Sequence, residues 1–393
     1  MKRKAVSLWV ASLLACAAGL TQGQTAPSTA RSHAPRALPL TKFYDPPSPL
    51  RAGKPSELIR SEPFDDYDLP NEISAVRILY HSRNAAGDDV AVSGVVLVPD
   101  AKPPAGGWPI IAWAHDFTGS ARACAPSLQR NLSAGPLLAM YPGVGYVVVA
   151  SDYAGLGTNS PAAILDMQSN ALDVIYSIPA ARAAVPGLGS KWIAAGNSHG
   201  AVVAVGVAEA ESSLRDSNYL GAVAISGVAD AADLFERESQ GSGYRGLVFL
   251  AQGIKAIFPE FKVEEMLTEK VIPLYRHVQQ ACDFNTDLQL SAAEMLKPGW
   301  ENNRYVKDFF ARNTPGQKPA FGPILVIGAD ADPNAPSKLT AVTVTRMCSQ
   351  ADRVVFYQYP EVDASTVVGT SVSDQLSWIR ARFAGHPAPS NCH

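Results

Sequence analysis

Residues 196–200 are the part of this sequence best suited to chemistry, and they read Gly-Asn-Ser-His-Gly. They lie between an apolar strand-like run, residues 192–195, and residues 201–208, an apolar run typical of a buried helix. A Gly-x-Ser-x-Gly pattern between a strand and a helix is typical of a nucleophile elbow, a tight turn that exposes the serine hydroxyl. The free amides at the start of the following helix can also stabilise a developing oxyanion. We therefore predict that Ser198 is the nucleophile of an acyl-transfer reaction.

A carboxylate that orients a catalytic base is expected on the loop after a later strand. Residues 324–327 are predicted to be that strand, and the loop after it, residues 328–336, carries Asp330 and Asp332. Asp332 is the predicted acid, and Asp330 is the alternative. An aspartate that only caps the next helix or holds a turn would give the same local pattern.

The oxyanion hole is expected on the loop that follows the apolar strand at residues 108–114. That loop begins His115-Asp116, and we predict that the backbone amides of Asp116 and His199 bind the oxyanion. The carboxyl group of Asp116 would itself be a donor if burial kept it protonated. The alternative is that Asp116 only orders its own loop through a hydrogen bond to the local backbone.

The order of the remaining elements predicts a doubly wound α/β fold with a mostly parallel sheet. Two strand-like segments, residues 73–80 and 90–98, flank a signal for an N-terminal antiparallel hairpin at residues 84–88. Near-continuous apolar runs typical of parallel strands buried on both faces follow at residues 108–114 and 146–150. Further strands are predicted at residues 192–195, 221–225, 323–327 and 353–359. Helices are predicted at residues 162–184, 337–349 and 372–383.

The domain boundaries follow from gaps in this alternation. The interval between residues 225 and 323 is too long for a simple crossover and is mostly amphipathic. Residues 230–321 are therefore predicted to form an inserted helical cap that shapes an apolar pocket over the serine. The core is then formed by residues 69–229 and 322–393. Residues 24–68, rich in Pro, Ser, Ala and Arg, are expected to form an extended arm over the surface.

Residues 1–23 are predicted to be a secretory signal peptide, so the protein is expected to be secreted or periplasmic. A basic start, residues 1–4, precedes an apolar segment, residues 5–14, that is too short to span a bilayer. Attachment of a lipid at Cys16 is the alternative. The cysteines beyond the signal are Cys124, Cys282, Cys348 and Cys392. In an oxidising compartment they are expected to form two disulfides, for which the sequence permits three pairings.

The composition argues against several classes of protein. The net charge is −3 and 18% of the residues are charged, so no basic surplus favours nucleic acid as a partner. A hydrophobic content of 47% in 393 residues is ordinary for a globular enzyme. No cysteine pair and no His-x-x-x-His pattern has the spacing of a metal site, and neither a metal nor another cofactor is expected.

Several blocks of this sequence together resemble the secretory lipases of the lipase A type. The blocks are residues 124–127, 151–157, 196–200 and 332–336, and the resemblance runs from about residue 68 to residue 384. It implies an α/β-hydrolase fold with a helical lid and the hydrolysis of acyl esters. It also implies an oxyanion loop in which some members carry aspartate at the position of Asp116. The family's disulfides imply the pairs Cys124–Cys282 and Cys348–Cys392.

One position departs from the family's pattern. The family carries a histidine, the general base, after Tyr-Pro and three further residues. Here Tyr359-Pro360 is followed at that distance by Ala364. The spacing from Asp332 and the downstream helix at residues 372–383 both fit the family, so a shifted alignment does not explain the difference.

Another histidine would have to substitute for this base. Those at the termini or far from the elbow are excluded by position, and they are His33, His81, His386 and His393. His115, His199 and His277 remain. His115 is expected to support its loop, His199 to point away from the Ser198 hydroxyl, and His277 to lie exposed on a cap helix.

Two hypotheses follow. The first is an exported serine ester hydrolase, expected to be a monomer that acts on a small-molecule or lipid ester with transient contact to lipid interfaces. The second is a catalytically impaired or inactive lipase-like pseudo-enzyme, or binding protein, because loss of the base typically costs about 10⁴- to 10⁶-fold in turnover. A peptidase of the same fold fits the elbow but not the lipase blocks.

Overall fold

The computed structural model describes residues 37–240, 245–280, 282 and 290–392. The predicted signal peptide, Cys16, the first part of the predicted arm, His33 and His393 lie outside these residues. Residues 241–244, 281 and 283–289 of the predicted cap also lie outside them, whereas the candidate site residues and the four cysteines beyond the signal are described.

A single sheet runs through the described part of the chain. Its strands are β1 Leu58–Pro63, β2 Ile73–Arg83, β3 Asp89–Pro99, β4 Trp108–Ala114, β5 Val147–Ser151, β6 Leu188–Asn197, β7 Tyr219–Ile225, β8 Ile324–Ala329 and β9 Val354–Tyr359. They lie in the order β1-β2-β3-β5-β4-β6-β7-β8-β9. The pairs from β1 to β5 are antiparallel, and those from β5 through β4 to β9 are parallel. The predicted hairpin and the mostly parallel sheet are confirmed.

Helices cover both faces of this sheet. They are α1 Pro136–Gly143, α2 Met167–Ala184, α3 His199–Leu214, α4 Ala231–Gln240, α5 Arg245–Ile257, α6 Ile272–Val278, α7 Ala292–Met295, α8 Arg304–Arg312, α9 Ser337–Ser349, α10 Ala364–Thr370 and α11 Val372–Phe383. Along β4, Ile110 and Ala112 pack in the core that contains α2 and α3, whereas Ile111 and Trp113 pack in the core that contains α1 and α11. This alternation explains why the strand is apolar at nearly every position.

Between β7 and β8, the described residues form helices α4 to α8, which make up the inserted cap. They have a hydrophobic cluster of their own, with Leu250, Phe261 and Phe309 among its buried members. Two polar contacts fix the end of the cap to α2. Arg312 Nε donates to Asp166 Oδ1 at 2.5 Å, and the backbone nitrogen of Met167 donates to the side-chain oxygen of Asn313 at 2.6 Å.

Two stretches differ from the sequence-based expectation. Part of the predicted surface arm is β1, the edge strand of the sheet, paired antiparallel with β2. Its Leu-Ile-Arg-Ser-Glu-Pro sequence is only half-buried, so no apolar run marks it. Helix α2 begins at Met167 rather than at residue 162, because the Asp166 side chain accepts from the backbone nitrogen of Ser169 and caps the helix there.

Both implied disulfides are present. Cys124 pairs with Cys282 and Cys348 pairs with Cys392, with Cα atoms 5.2 and 5.4 Å apart. The first bond joins the loop after β4 to the cap, and the second joins α9 to the C-terminal segment. Both fit a protein from an oxidising compartment. In the described ranges we find no helix with the length and apolar character needed to cross a membrane.

Candidate active site

Ser198 occupies a strained turn between β6 and α3. Its φ and ψ are 55° and −122°, a conformation that residues with a side chain rarely adopt. The turn also needs its two glycines. A Cβ atom on Gly196 would collide with the carbonyl group of Gly200, and one on Gly200 would collide with the carbonyl oxygen of Ala114. The backbone therefore has the tight turn that the Gly-x-Ser-x-Gly pattern predicts.

One cavity of about 250 Å³ brings the predicted site residues together. Ser198, Asp332, Ala364, Asp116 and His199 all line it. They follow different strands of the parallel sheet, whose carboxyl ends meet at one edge. The rest of the lining is mostly apolar and includes Phe117, Leu165, Val202, Leu234, Phe235, Phe249 and Phe309.

The cap forms one wall of this cavity. Phe249 on α5 packs against Phe117 on the loop after β4, with ring centroids 4.6 Å apart. Within the described residues, no group of three or more His, Cys, Asp and Glu side chains could hold a metal ion. The cavity is thus suited to an apolar group placed against the serine hydroxyl.

Asp332 is held in place by three hydrogen bonds and is only 5% exposed. Its Oδ1 atom accepts from the backbone nitrogens of Asn334, at 2.9 Å, and Ala335, at 3.1 Å. Its Oδ2 atom accepts from Ser226 Oγ at 2.9 Å. Asp330 is exposed and does not line the cavity. Of the two candidate acids, Asp332 is the one at the serine.

Ser226 is the residue at this site that sequence reasoning missed. It directly follows β7, the strand between the strands that lead to Ser198 and Asp332. The residue after it also belongs to the site, because a Cβ atom on Gly227 would lie 2.9 Å from the Cα atom of Ser198. The sequence did indicate this part of the site, because a Ser-Gly pair directly follows a buried strand at this edge of the sheet.

The carboxylate of Asp116 contacts the elbow directly. Its Oδ1 atom accepts from the backbone nitrogen of Phe117 at 2.7 Å and from that of His199 at 3.3 Å. Burial raises the pKa of this carboxyl group above its usual range. The backbone amide of His199, predicted to bind the oxyanion, therefore has the Asp116 side chain as its partner here.

Ala364 places a methyl group where the base is expected. It is the first residue of α10, half-buried, and it lines the cavity. The side chain of Asp363 caps this helix, accepting from the backbone nitrogens of Ser365 at 3.0 Å and Thr366 at 2.9 Å. The loop after β9 is therefore well formed at the point where the imidazole is missing.

His115 supports its loop, as expected. Its Nδ1 atom lies 2.5 Å from the carbonyl oxygen of Asp116, and its Nε2 atom lies 3.1 Å from that of Asp152. The ring stacks on Tyr153 with centroids 4.1 Å apart. Burial lowers the pKa of His115. Because both ring nitrogens face backbone carbonyl oxygens of Asp116 and Asp152, this imidazole is not placed to take a proton from Ser198.

His199 is directed toward α2. Its Nε2 atom lies 3.2 Å from the side-chain amide of Asn170. Burial lowers the pKa of His199 to about 4, so the ring is neutral at neutral pH. Although His199 lines the cavity, its side chain is engaged away from the serine hydroxyl.

The remaining described histidines lie elsewhere. His277 is exposed on α6, His386 is exposed after α11, and neither lines the cavity. His81 is paired with Asp89, with Nδ1 2.9 Å from Oδ1. Over the described ranges, no histidine stands in for the residue that Ala364 replaces.

The fold itself is shared with known esterases. The structure matches that of Candida antarctica lipase A in its closed state with a TM-score of 0.77 and 20% identity, over 91% of this chain and 89% of that one. The chain has a lipase-type α/β-hydrolase fold. The α/β-hydrolase fold is also supported by the rice cell wall degrading esterase LipA from Xanthomonas oryzae, with a TM-score of 0.71, 18% identity, and coverage of 85% of this chain and 99% of that one.

A third structure with this α/β-hydrolase fold is a putative hydrolase from Legionella pneumophila. It matches with a TM-score of 0.71 and 16% identity, over 83% of this chain and 98% of that one. No protein-family model and no curated protein matches the sequence. At these identities the likeness shows the fold alone. In this fold the acid and the base follow the nucleophile in chain order, the order of Ser198, Asp332 and Ala364.

Proposed function

We propose that this chain is an exported carboxylic ester hydrolase of the lipase or esterase type. It would act as a monomer on a small-molecule or lipid ester, with transient contact to lipid interfaces. The observation that carries the proposal is the shared cavity, in which Ser198 in its strained turn and the buried carboxylate of Asp332 meet an apolar cap. Ser198 is the proposed nucleophile, and Asp332 is the proposed acid.

The proposed chemistry places the ester carbonyl over Ser198 with its apolar part under the cap. The Ser198 hydroxyl oxygen attacks the carbonyl carbon as its proton passes to water, and backbone amides at Asp116 and His199 stabilise the oxyanion. The ester C–O bond then breaks, the alkoxide takes a proton from water and leaves as the alcohol, and a further water molecule hydrolyses the acyl-serine to release the acid. Asp116 Oδ1 lies 3.3 Å from the backbone nitrogen of His199 and accepts its hydrogen bond. When substrate binds, the Asp116 side chain must therefore either move away or be protonated. Turnover is slow, because an alcohol without a positioned base is a weak nucleophile.

Hydrolysis of a fluorogenic butyrate ester by the purified protein and by Ser198→Ala tests this proposal. We expect slow turnover by the unmodified protein and only the buffer rate with Ser198→Ala. Equal rates for the two proteins would contradict hydrolysis by Ser198. The melting temperature of each protein, measured alongside, separates a loss of chemistry from a loss of fold.

Ala364 favours a second candidate function, that of an ester-binding protein without turnover. A non-hydrolysable ether analogue of the ester would then bind the unmodified protein, while no hydrolysis exceeds the buffer rate. Ala364→His would restore hydrolysis under this alternative, because the serine, the acid and the cavity are in place. Binding without turnover, followed by turnover in that variant, would identify the binding protein.

A further inference from the structure

The cavity has an unfilled corner beside the acid. Asp332, Asn334, Ala335 and Ala364 line the same cavity as Ser198. A histidine at position 364 would extend its ring from the Cβ atom that Ala364 already has, and alanine leaves the volume of that ring open. Where Asp332 and Ala364 line the cavity, it therefore lacks the ring that a histidine would place there.

The hydrogen-bonding groups in this corner determine which kind of ligand it can bind. Asp332 Oδ2 accepts one hydrogen bond, from Ser226, and a carboxylate oxygen can accept a second. A carboxylate that is 5% exposed is stabilised by an N–H donor or a cation beside it. No lysine or arginine lines the cavity among the described residues, and the one histidine that does, His199, is engaged with Asn170. The acid thus has an open place for a nitrogen ligand.

We propose that the corner bounded by Ser198, Asp332 and Ala364 binds a small nitrogen base of the imidazole type, and that this ligand supplies the missing proton transfer. The base is either free in solution or carried by the ester itself. Its N–H donates to Asp332, and its other ring nitrogen accepts the proton of Ser198. The inference rests on the proposed function, since it concerns the same serine and the same esters.

The proton balance closes without another reactant. The bound base takes the Ser198 proton as the serine oxygen bonds to the ester carbonyl carbon, and it returns that proton to the leaving alkoxide as the ester C–O bond breaks. A water molecule then attacks the acyl-enzyme while the base takes its proton. The base gives this proton to the serine oxygen as the free acid leaves. The base is regenerated in each turnover.

The first test is the dependence of ester hydrolysis on added imidazole. We expect the rate of the unmodified protein, after subtraction of the Ser198→Ala rate at each concentration, to rise at least tenfold and to saturate. Ala364→Leu fills the corner and should abolish the rise. 1-Methylimidazole keeps the basic nitrogen but lacks the N–H for Asp332, so it should activate less. A rise that is linear, or that persists in Ala364→Leu, would overturn the proposal.

The second test separates the two sources of the base. The ethyl esters of N-acetyl-histidine and N-acetyl-phenylalanine present similar scissile bonds, and only the first carries an imidazole. If the substrate carries the base, the histidine ester is hydrolysed at least tenfold faster without added imidazole, and Ala364→Leu removes the preference. If the base is free, both esters respond alike to imidazole. Equal rates with no response to imidazole contradict both sources.

Ala364→His distinguishes a failure of this inference from a failure of the proposed function. Its own imidazole would fill the corner, so it should be fast without imidazole and insensitive to it. If this variant hydrolyses esters while imidazole does not activate the unmodified protein, only the ligand site is refuted. If this folded variant is also inactive, the proposed ester hydrolysis fails.

Discussion

Asp116 Oδ1 lies 3.3 Å from the backbone nitrogen of His199 and accepts a hydrogen bond from it. Both residues line the cavity that contains Ser198. An ionised carboxylate in this place competes with the substrate oxygen for the amide, whereas a protonated carboxyl group can donate to an oxyanion. The protonation state of Asp116 is therefore expected to control how well the elbow binds a developing negative charge.

Asp116→Asn tests this control by its pH dependence. Because burial raises the pKa of Asp116, the carboxyl group stays protonated to a higher pH than usual and loses its proton as the pH rises. The asparagine amide donates at every pH. In the Ala364→His background, the rate with Asp116→Asn divided by the rate without it should therefore increase as the pH rises. The histidine at position 364 titrates in both proteins, so the ratio removes its contribution. A constant ratio would show that Asp116 only orders its loop.

Ala364→His is expected to raise kcat on a short-chain ester by about 10²- to 10⁴-fold, the usual contribution of a positioned general base. KM should change little, because the large apolar side chains that line the cavity are untouched. The steady-state rate on a fluorogenic ester is the measurement. Adding Asp332→Asn should remove most of the gain, since the imidazole then lacks its orienting carboxylate. A folded Ala364→His protein as slow as the unmodified chain contradicts this prediction.

Arg312→Ala is expected to lower the free energy of unfolding by about 3 kcal/mol, because it leaves the fully buried Asp166 without its charged partner. The matched control is Lys270→Ala in the cap, which breaks an exposed pair with Glu294 and should cost much less stability than Arg312→Ala. Urea unfolding measures both. Equal losses would mean that the Arg312 ion pair does not hold the cap to α2.

Glu209→Gln tests a pH dependence of stability. Burial raises the pKa of Glu209 on α3 to about 7, and its Oε1 atom accepts from the backbone nitrogen of Gly316 at 2.6 Å. A raised carboxyl pKa stabilises the folded state at low pH, and this contribution is lost as the pH rises from about 4.3 to about 7. Glutamine keeps the acceptor without the charge. The melting temperature of the unmodified protein should therefore fall relative to that of Glu209→Gln between pH 5 and pH 8.

The exposed Glu264→Gln is the charge-matched control for that series. It should follow the unmodified protein across the pH range. If the melting temperature of Glu209→Gln also follows that of the unmodified protein, the burial of Glu209 does not affect the pH dependence of stability.

Local sequence patterns were sufficient to predict much of the fold. β4 was predicted at its observed bounds because burial on both faces leaves a continuous apolar run. Helices α9 and α11 were likewise predicted at their observed bounds. Ser198 was predicted because its turn requires glycines, a steric demand that the sequence records directly.

Contacts between distant residues could not be predicted in this way. The bond from Ser226 to Asp332 joins residues 106 positions apart, and no local pattern encodes it. The hydrogen bond from the His199 amide to the Asp116 carboxylate likewise depends on how two loops pack together. β1 was missed because an edge strand is held by backbone pairing rather than by buried side chains.

The three hydrogen bonds to Asp332 give this residue a second role. They tie the turn after β8 to itself and to the end of β7, whether or not any proton is ever transferred. A mutational scan that selects only for soluble protein would therefore rank Asp332 among the intolerant positions. The same scan would favour glycine at Ser198, whose backbone strain costs about 1–3 kcal/mol. A selection for soluble protein detects only the structural role of Asp332. A selection that requires ester cleavage would also detect its catalytic role and would favour serine at position 198.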